Sequence, residues 1–124
     1  MVVTGHRGRS SQDFSQVVDV NSNKSCTDLP PYPVKMSSAT GGVLKGSPLI
    51  CGGYHEDETI DPSEIHSSCY MHEKSSNTWI LHANMNTKRF DHSSACHDNV
   101  LWLTGGVNKE KLPMHRRGIL RQIL

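Results

Sequence analysis

Short apolar runs separated by turn residues recur along the chain, and they come in pairs. Ser93 to His97, then Asp98-Asn99, then Val100-Leu101-Trp102-Leu103-Thr104 predicts a β-hairpin with a two-residue turn. An earlier pair predicts the same: Thr40 to Leu44, a turn at Lys45-Gly46, and Pro48 to Cys51. Ser68 to His72 and Thr78 to His82 flank the polar turn Glu73 to Asn77 and predict another hairpin. The stretch Gly53 to His66 contains Asp57, Asp61, Pro62 and Ser63 without a steady period, and is read as a long loop.

The pairs repeat. With the chain laid on itself at an offset of 53, Gly52-Gly53 falls on Gly105-Gly106, Lys35 on Lys88 and Cys26 on Trp79. The run Pro48 to Cys51 falls on Leu101 to Thr104, and Gly46 on Asn99, which tolerates the same left-handed backbone. With a shorter loop allowed, Val2-Val3-Thr4-Gly5 matches Leu49 to Gly52. Four short strands per roughly 50 residues predicts a propeller blade, so the expected fold is all-β, built of four-stranded antiparallel sheets.

The order of residues within the repeat resembles the kelch family of β-propellers. The diglycine Gly52-Gly53 is followed by a variable loop, then by Ser68-Cys69-Tyr70-Met71-His72-Glu73 and Ser76-Asn77-Thr78-Trp79. Met85 to His92 resembles the connector of that family, with Arg89 and His92 in place, and Gly105-Gly106 closes the next copy. His72 stands where the family usually has tyrosine, Cys26 where it has tryptophan, and Gly5-His6 where it has a diglycine. The resemblance implies an incomplete kelch-type propeller of about two blades. Residues 1–52 form a partial repeat running into the next blade, 53–107 a repeat and the start of another, and 108–124 a basic tail. It implies structural roles for Gly52, Gly53, Trp79, Arg89, His92, Gly105 and Gly106. Trp79 is expected to fill space between stacked sheets, and Arg89 to donate to backbone carbonyls between blades.

Composition narrows the partner classes. The net charge of +1 gives no reason to seek nucleic acid or an anionic membrane over the whole surface, and no apolar run approaches the ~20 residues of a membrane span. Residues 1–6 lack the pattern of a secretory signal, and because a strand is expected already at Val2-Val3 the chain is expected to be a fragment. The cysteines Cys26, Cys51, Cys69 and Cys96 contain no CxxC pair, against structural zinc. Cys51 and Cys69 fall in strands expected to be neighbours, so they are a candidate disulfide, with buried free thiols as the alternative. An even cysteine count and the acceptor pattern Asn23-Lys24-Ser25 tilt the expected compartment toward extracellular over cytoplasmic.

No catalytic, cofactor or metal site is expected. The eight histidines form no HxH or HExxH pattern, no GxSxG elbow is present, and no phosphate-binding fingerprint occurs. The acidic segment Tyr54, His55, Glu56, Asp57 and Glu58 reads as a solvated loop and, by position, as the candidate partner-contact surface. The tail carries Lys109, Lys111, Arg116, Arg117 and Arg121 and reads either as a basic amphipathic helix or as a segment out of register, helix or coil. The expected function is a non-enzymatic scaffold binding an unknown protein partner, with the rest of the ring supplied by missing sequence or by oligomerisation. The alternative is a fragment of a kelch-propeller enzyme of galactose-oxidase-like type.

Overall fold

The structure, a computed structural model, describes residues 2–3, 6–7, 10–11, 13, 15–22, 24–57, 60–108 and 120–122. Its centre is one complete antiparallel sheet. β6 (Thr40–Leu44), β7 (Ser47–Cys51), β10 (Ser68–Glu73) and β11 (Thr78–Asn84) lie side by side in chain order. Between β7 and β10 the chain forms a separate hairpin, β8 (Tyr54–Asp57) with β9 (Ile60–Ile65). Before this blade come β1 (Val2–Val3), β4 (Gln16–Asp19) and β5 (Lys24–Asp28) in one sheet, with β2 (His6–Arg7) and β3 (Ser10–Ser11) as a hairpin between β1 and β4. After it come β12 (Phe90–His97), β13 (Val100–Val107) and β14 (Leu120–Gln122). The chain is therefore all-β: a whole blade flanked by three strands of a preceding one and three of a following one.

The turns explain why the hairpins close as they do. Lys45 and Gly46 have φ of 50° and 78°, and Asp98 and Asn99 have 49° and 57°. Two successive left-handed residues match the twist of the flanking strands, which is why Asn, Asp and Gly stand there.

Apolar residues gather between the sheets. Leu44, Leu49, Cys51, Cys69 and Met85 of the complete blade and its connector pack with Leu101 and Leu103 of the next. On the opposite face Ile50 and Trp79 pack with Tyr32 and Met36, which lie on the segment leading in from the preceding blade. Each blade thus buries its faces against its neighbours along the chain. The inner strands meet as well: Ser94 donates its hydroxyl to the Gly41 carbonyl at 2.7 Å and lies 2.8 Å from the Thr40 hydroxyl.

Two expectations need correction. Gly53 to His66 is not a long loop, because most of it pairs as β8 and β9. A register shift between His55 and Asp57 breaks the alternation that would have marked it, and a two-stranded hairpin tolerates Pro62 because its outer edges carry no ladder. The tail is not wholly out of register: Leu120 pairs with Leu103 and Gln122 with Leu101, supplying the third blade's third strand. The described strands make one whole blade and three strands of each neighbour, in keeping with the incomplete propeller expected. Gly5, Asn23, Glu58, residues 109–119 and residues 123–124 lie outside the described residues.

Candidate functional site

The junction between the second and third blades holds most of the residues singled out in the sequence. A Cβ added to Gly53 would lie 2.9 Å from the Ser37 carbonyl oxygen, 3.0 Å from Ala39 Cβ and 3.1 Å from Met36 Sδ. One added to Gly106 would meet the Phe90 carbonyl oxygen at 2.7 Å, His92 Cβ at 2.9 Å and Arg89 Cβ at 3.4 Å. The neighbours correspond one for one at the sequence offset, so the repeat is also a repeat of packing. Both glycines have positive φ, 104° and 91°, and sit where a side chain would collide with backbone. Backbone pairing follows the same register. Ser37 bridges to Tyr54, and Phe90 to Val107.

Arg89 takes the slot that Met36 fills one blade earlier, and both are fully buried. Its Nη1 donates to the Gly105 carbonyl at 2.9 Å. The expectation that Arg89 donates to a backbone carbonyl is met, but Gly105 belongs to the same blade, so this tether is internal. The junction between blades is made instead by the Arg89 backbone, whose carbonyl accepts from Gly53 at 2.9 Å and whose N–H donates to His66 O at 3.3 Å. Burial pulls the guanidinium's pKa below its usual value.

His92 takes the slot of Ala39. Its ring lies against Gly52, with Cε1 2.7 Å from where that residue's Cβ would be. Burial first and the Arg89 charge second push its pKa down to about 4, against weaker opposition from the Cys51 carbonyl and Asp91. The ring is neutral at pH 7.

Cys51 and Cys69 are directly opposed in β7 and β10 and form a disulfide, with Cα atoms 4.1 Å apart. That spacing belongs to a non-hydrogen-bonded antiparallel pair. The bond is fully buried and closes the base of the β8–β9 hairpin.

Tyr54 and His55 open that hairpin, with Glu56 and Asp57 completing its first strand. The Tyr54 carbonyl accepts from the hydroxyls of Ser11 at 3.2 Å and Ser37 at 3.3 Å, so the hairpin meets β3, its counterpart from the preceding blade. At its foot, burial lowers the pKa of His66. Glu64 opposes this, while His55 and Lys88 add to the lowering.

Trp79 sits between sheets as expected. Its ring stands edge-on to Tyr32 at 5.2 Å, and its Nε1 donates to the Pro30 carbonyl at 3.0 Å. His72 packs against the same indole at 5.5 Å and reaches Asn77 Oδ1 at 3.0 Å, a structural position. The Tyr32 hydroxyl donates to the Ile50 carbonyl at 3.2 Å, and burial together with Tyr70 raises its pKa. Sequence reasoning did not single out Pro30 or His66, and Met85 entered only as the first residue of the connector.

At the opposite end of the blade, Met71, His72, Glu73, Lys74, Ile80 and His82 line an open cleft of about 380 Å³. Among the described residues no group of three or more His, Cys, Asp or Glu side chains is placed to hold a metal ion.

No protein-family model and no curated protein matches the sequence. Among solved structures the chain is similar to the one described as "Structure of YjhT", with a TM-score of 0.65 at 18% identity over 77% of this chain. It spans only 28% of that chain. At this identity the likeness is one of fold, and it agrees with the sheets described above: the chain folds as part of a β-propeller.

Proposed function

We propose that the chain is a non-enzymatic protein-interaction scaffold of kelch type, contacting a protein partner through the hairpin Tyr54–Ile65. The observation that supports this most directly is the repeated hairpin. In two successive repeats a two-stranded hairpin leaves the blade between its second and third strands, β2–β3 in one and β8–β9 in the other, and the two meet at Ser11 and Tyr54. Adjacent hairpins at one end of stacked blades make a continuous rim, which suits a surface for macromolecules better than an enclosed pocket. The diglycines, Trp79 and the Met85-to-His92 connector support the kelch assignment. The remaining blades come from further sequence or from association with other chains. The Cys51–Cys69 disulfide supports an oxidising, extracellular setting.

The test is photo-crosslinking. A photoreactive residue at Glu56 should capture a partner that one at Lys74, at the far end of the blade, does not. Alanine at His55, Glu56 and Asp57 together should weaken that partner by about tenfold or more while leaving the urea midpoint unchanged. Unaltered affinity in the folded triple variant would remove the hairpin from the interface.

A further inference from the structure

Arg89 is fully buried, and among the described residues its Nε and Nη2 have no hydrogen-bond partner. His92 is 8% exposed, and neither ring nitrogen makes a hydrogen bond of full geometry, the Cys51 carbonyl being its nearest acceptor influence. A buried cation with two idle donors is costly unless an acceptor, preferably charged, completes it. The fold does not demand a cation at this point, because Met36 fills the equivalent slot of the preceding blade with no polar group. We propose that Arg89, with His92 beside it, forms a carboxylate-binding site at the junction of the second and third blades.

The geometry of the guanidinium selects the ligand. Nη1 is committed to the Gly105 carbonyl, which leaves Nε and Nη2. These two donors lie on one edge of the planar group and form the fork that receives both oxygens of a carboxylate in parallel hydrogen bonds. The charges balance too, since Arg89 carries one positive charge, His92 is neutral at pH 7, and a carboxylate brings one negative charge. His92 belongs to the same packed group: a Cβ added to Gly106 would lie 3.4 Å from Arg89 Cβ and 2.9 Å from His92 Cβ. Nothing among the described residues lies within 4 Å of a Cβ added to Gly105, the residue whose carbonyl accepts from Arg89. At Gly52, one repeat earlier, the same space is filled by the Arg89 carbonyl, His92 and Met85.

This inference stands apart from the partner reading and has its own test. The full 124-residue chain is titrated with acetate at constant ionic strength against chloride, following the Arg89 Nε–H and the Gly105 and Gly106 amides by ¹H–¹⁵N NMR. A saturable shift with acetate, absent in chloride, is expected. Arg89→Lys keeps the charge but loses the fork, and should weaken acetate by about tenfold, the worth of one charge-assisted hydrogen bond. Arg89→Met, which copies the residue of the preceding blade, should abolish the amide shifts. A glutamate-containing tetrapeptide that binds more tightly than acetate assigns the carboxylate to a partner's acidic side chain. Equal binding assigns it to a small free acid, and either result supports the site. An unresponsive Nε–H in the wild-type chain, tighter binding of inorganic phosphate than of acetate, or undiminished acetate binding by Arg89→Lys would overturn it.

Discussion

Trp79, on the outermost strand of the complete blade, donates its indole N–H to the carbonyl of Pro30, on the segment arriving from the blade before, at 3.0 Å. One side chain therefore both fills the space between two sheets and ties their connecting segment in place. Replacing it with phenylalanine keeps a ring against Tyr32 but strands the carbonyl, and should cost about 1 kcal/mol. Alanine should cost about 3–5 kcal/mol through the cavity as well. Urea unfolding followed by circular dichroism separates the two.

The disulfide joins residues 18 apart in sequence and encloses the β8–β9 hairpin. Serine at both Cys51 and Cys69 should lower stability by about 3 kcal/mol, mostly by freeing the unfolded chain. The double variant's urea midpoint should no longer respond to a reducing agent, whereas that of the wild-type chain should fall.

Gly53 and Gly46 both have positive φ, yet they stand in different surroundings. Alanine at Gly46 meets nothing within 4 Å and should cost only the left-handed backbone, about 1–2 kcal/mol. Alanine at Gly53 adds a 2.9 Å approach to the Ser37 carbonyl and should be the more damaging. Equal midpoints for the two variants would mean that the close approach carries no energetic weight.

His92 gives stability a pH dependence of definite sign. Its folded pKa of about 4 lies below the unfolded value of about 6.5, so the unfolded chain binds the proton first. Stability from this residue is complete above about pH 6.5 and is lost as pH falls toward about 4, by about 3 kcal/mol in all. His92→Ala should flatten the profile across that window. Arg89→Met removes the second cause of the depression and should raise the folded pKa, so that the loss is smaller and ends at a higher pH, with His92 titration read by NMR.

The regularity of the repeat was legible because packing imposes it on the residues. Gly53 and Gly106 must both lack side chains for the same reason, and the offset between them locates Ser37 with Phe90 and Ala39 with His92. The turns at Lys45-Gly46 and Asp98-Asn99 were legible from their chemistry. What escaped sequence reasoning depends on neighbours rather than on local pattern. The β8–β9 hairpin is irregular between His55 and Asp57 and rests on contact with Ser11, about 40 residues away in the chain. Leu120–Gln122 is three residues long and becomes a strand only because β13 offers it an edge. The donation from Arg89 went to its own blade because β13 pairs with β12 there and sets Gly105 opposite His92, a proximity no spacing rule announces.

Met36 and Arg89 occupy one socket in two consecutive wedges of the same shape. A thioether in the first and a guanidinium in the second stand next to equivalent backbone pairs, Ser37 with Tyr54 and Phe90 with Val107. The backbone is thus indifferent to what fills this position, and its polarity can be exchanged from wedge to wedge without redrawing the architecture. The chemistry found at this position therefore comes from the side chain set there and not from the strands around it.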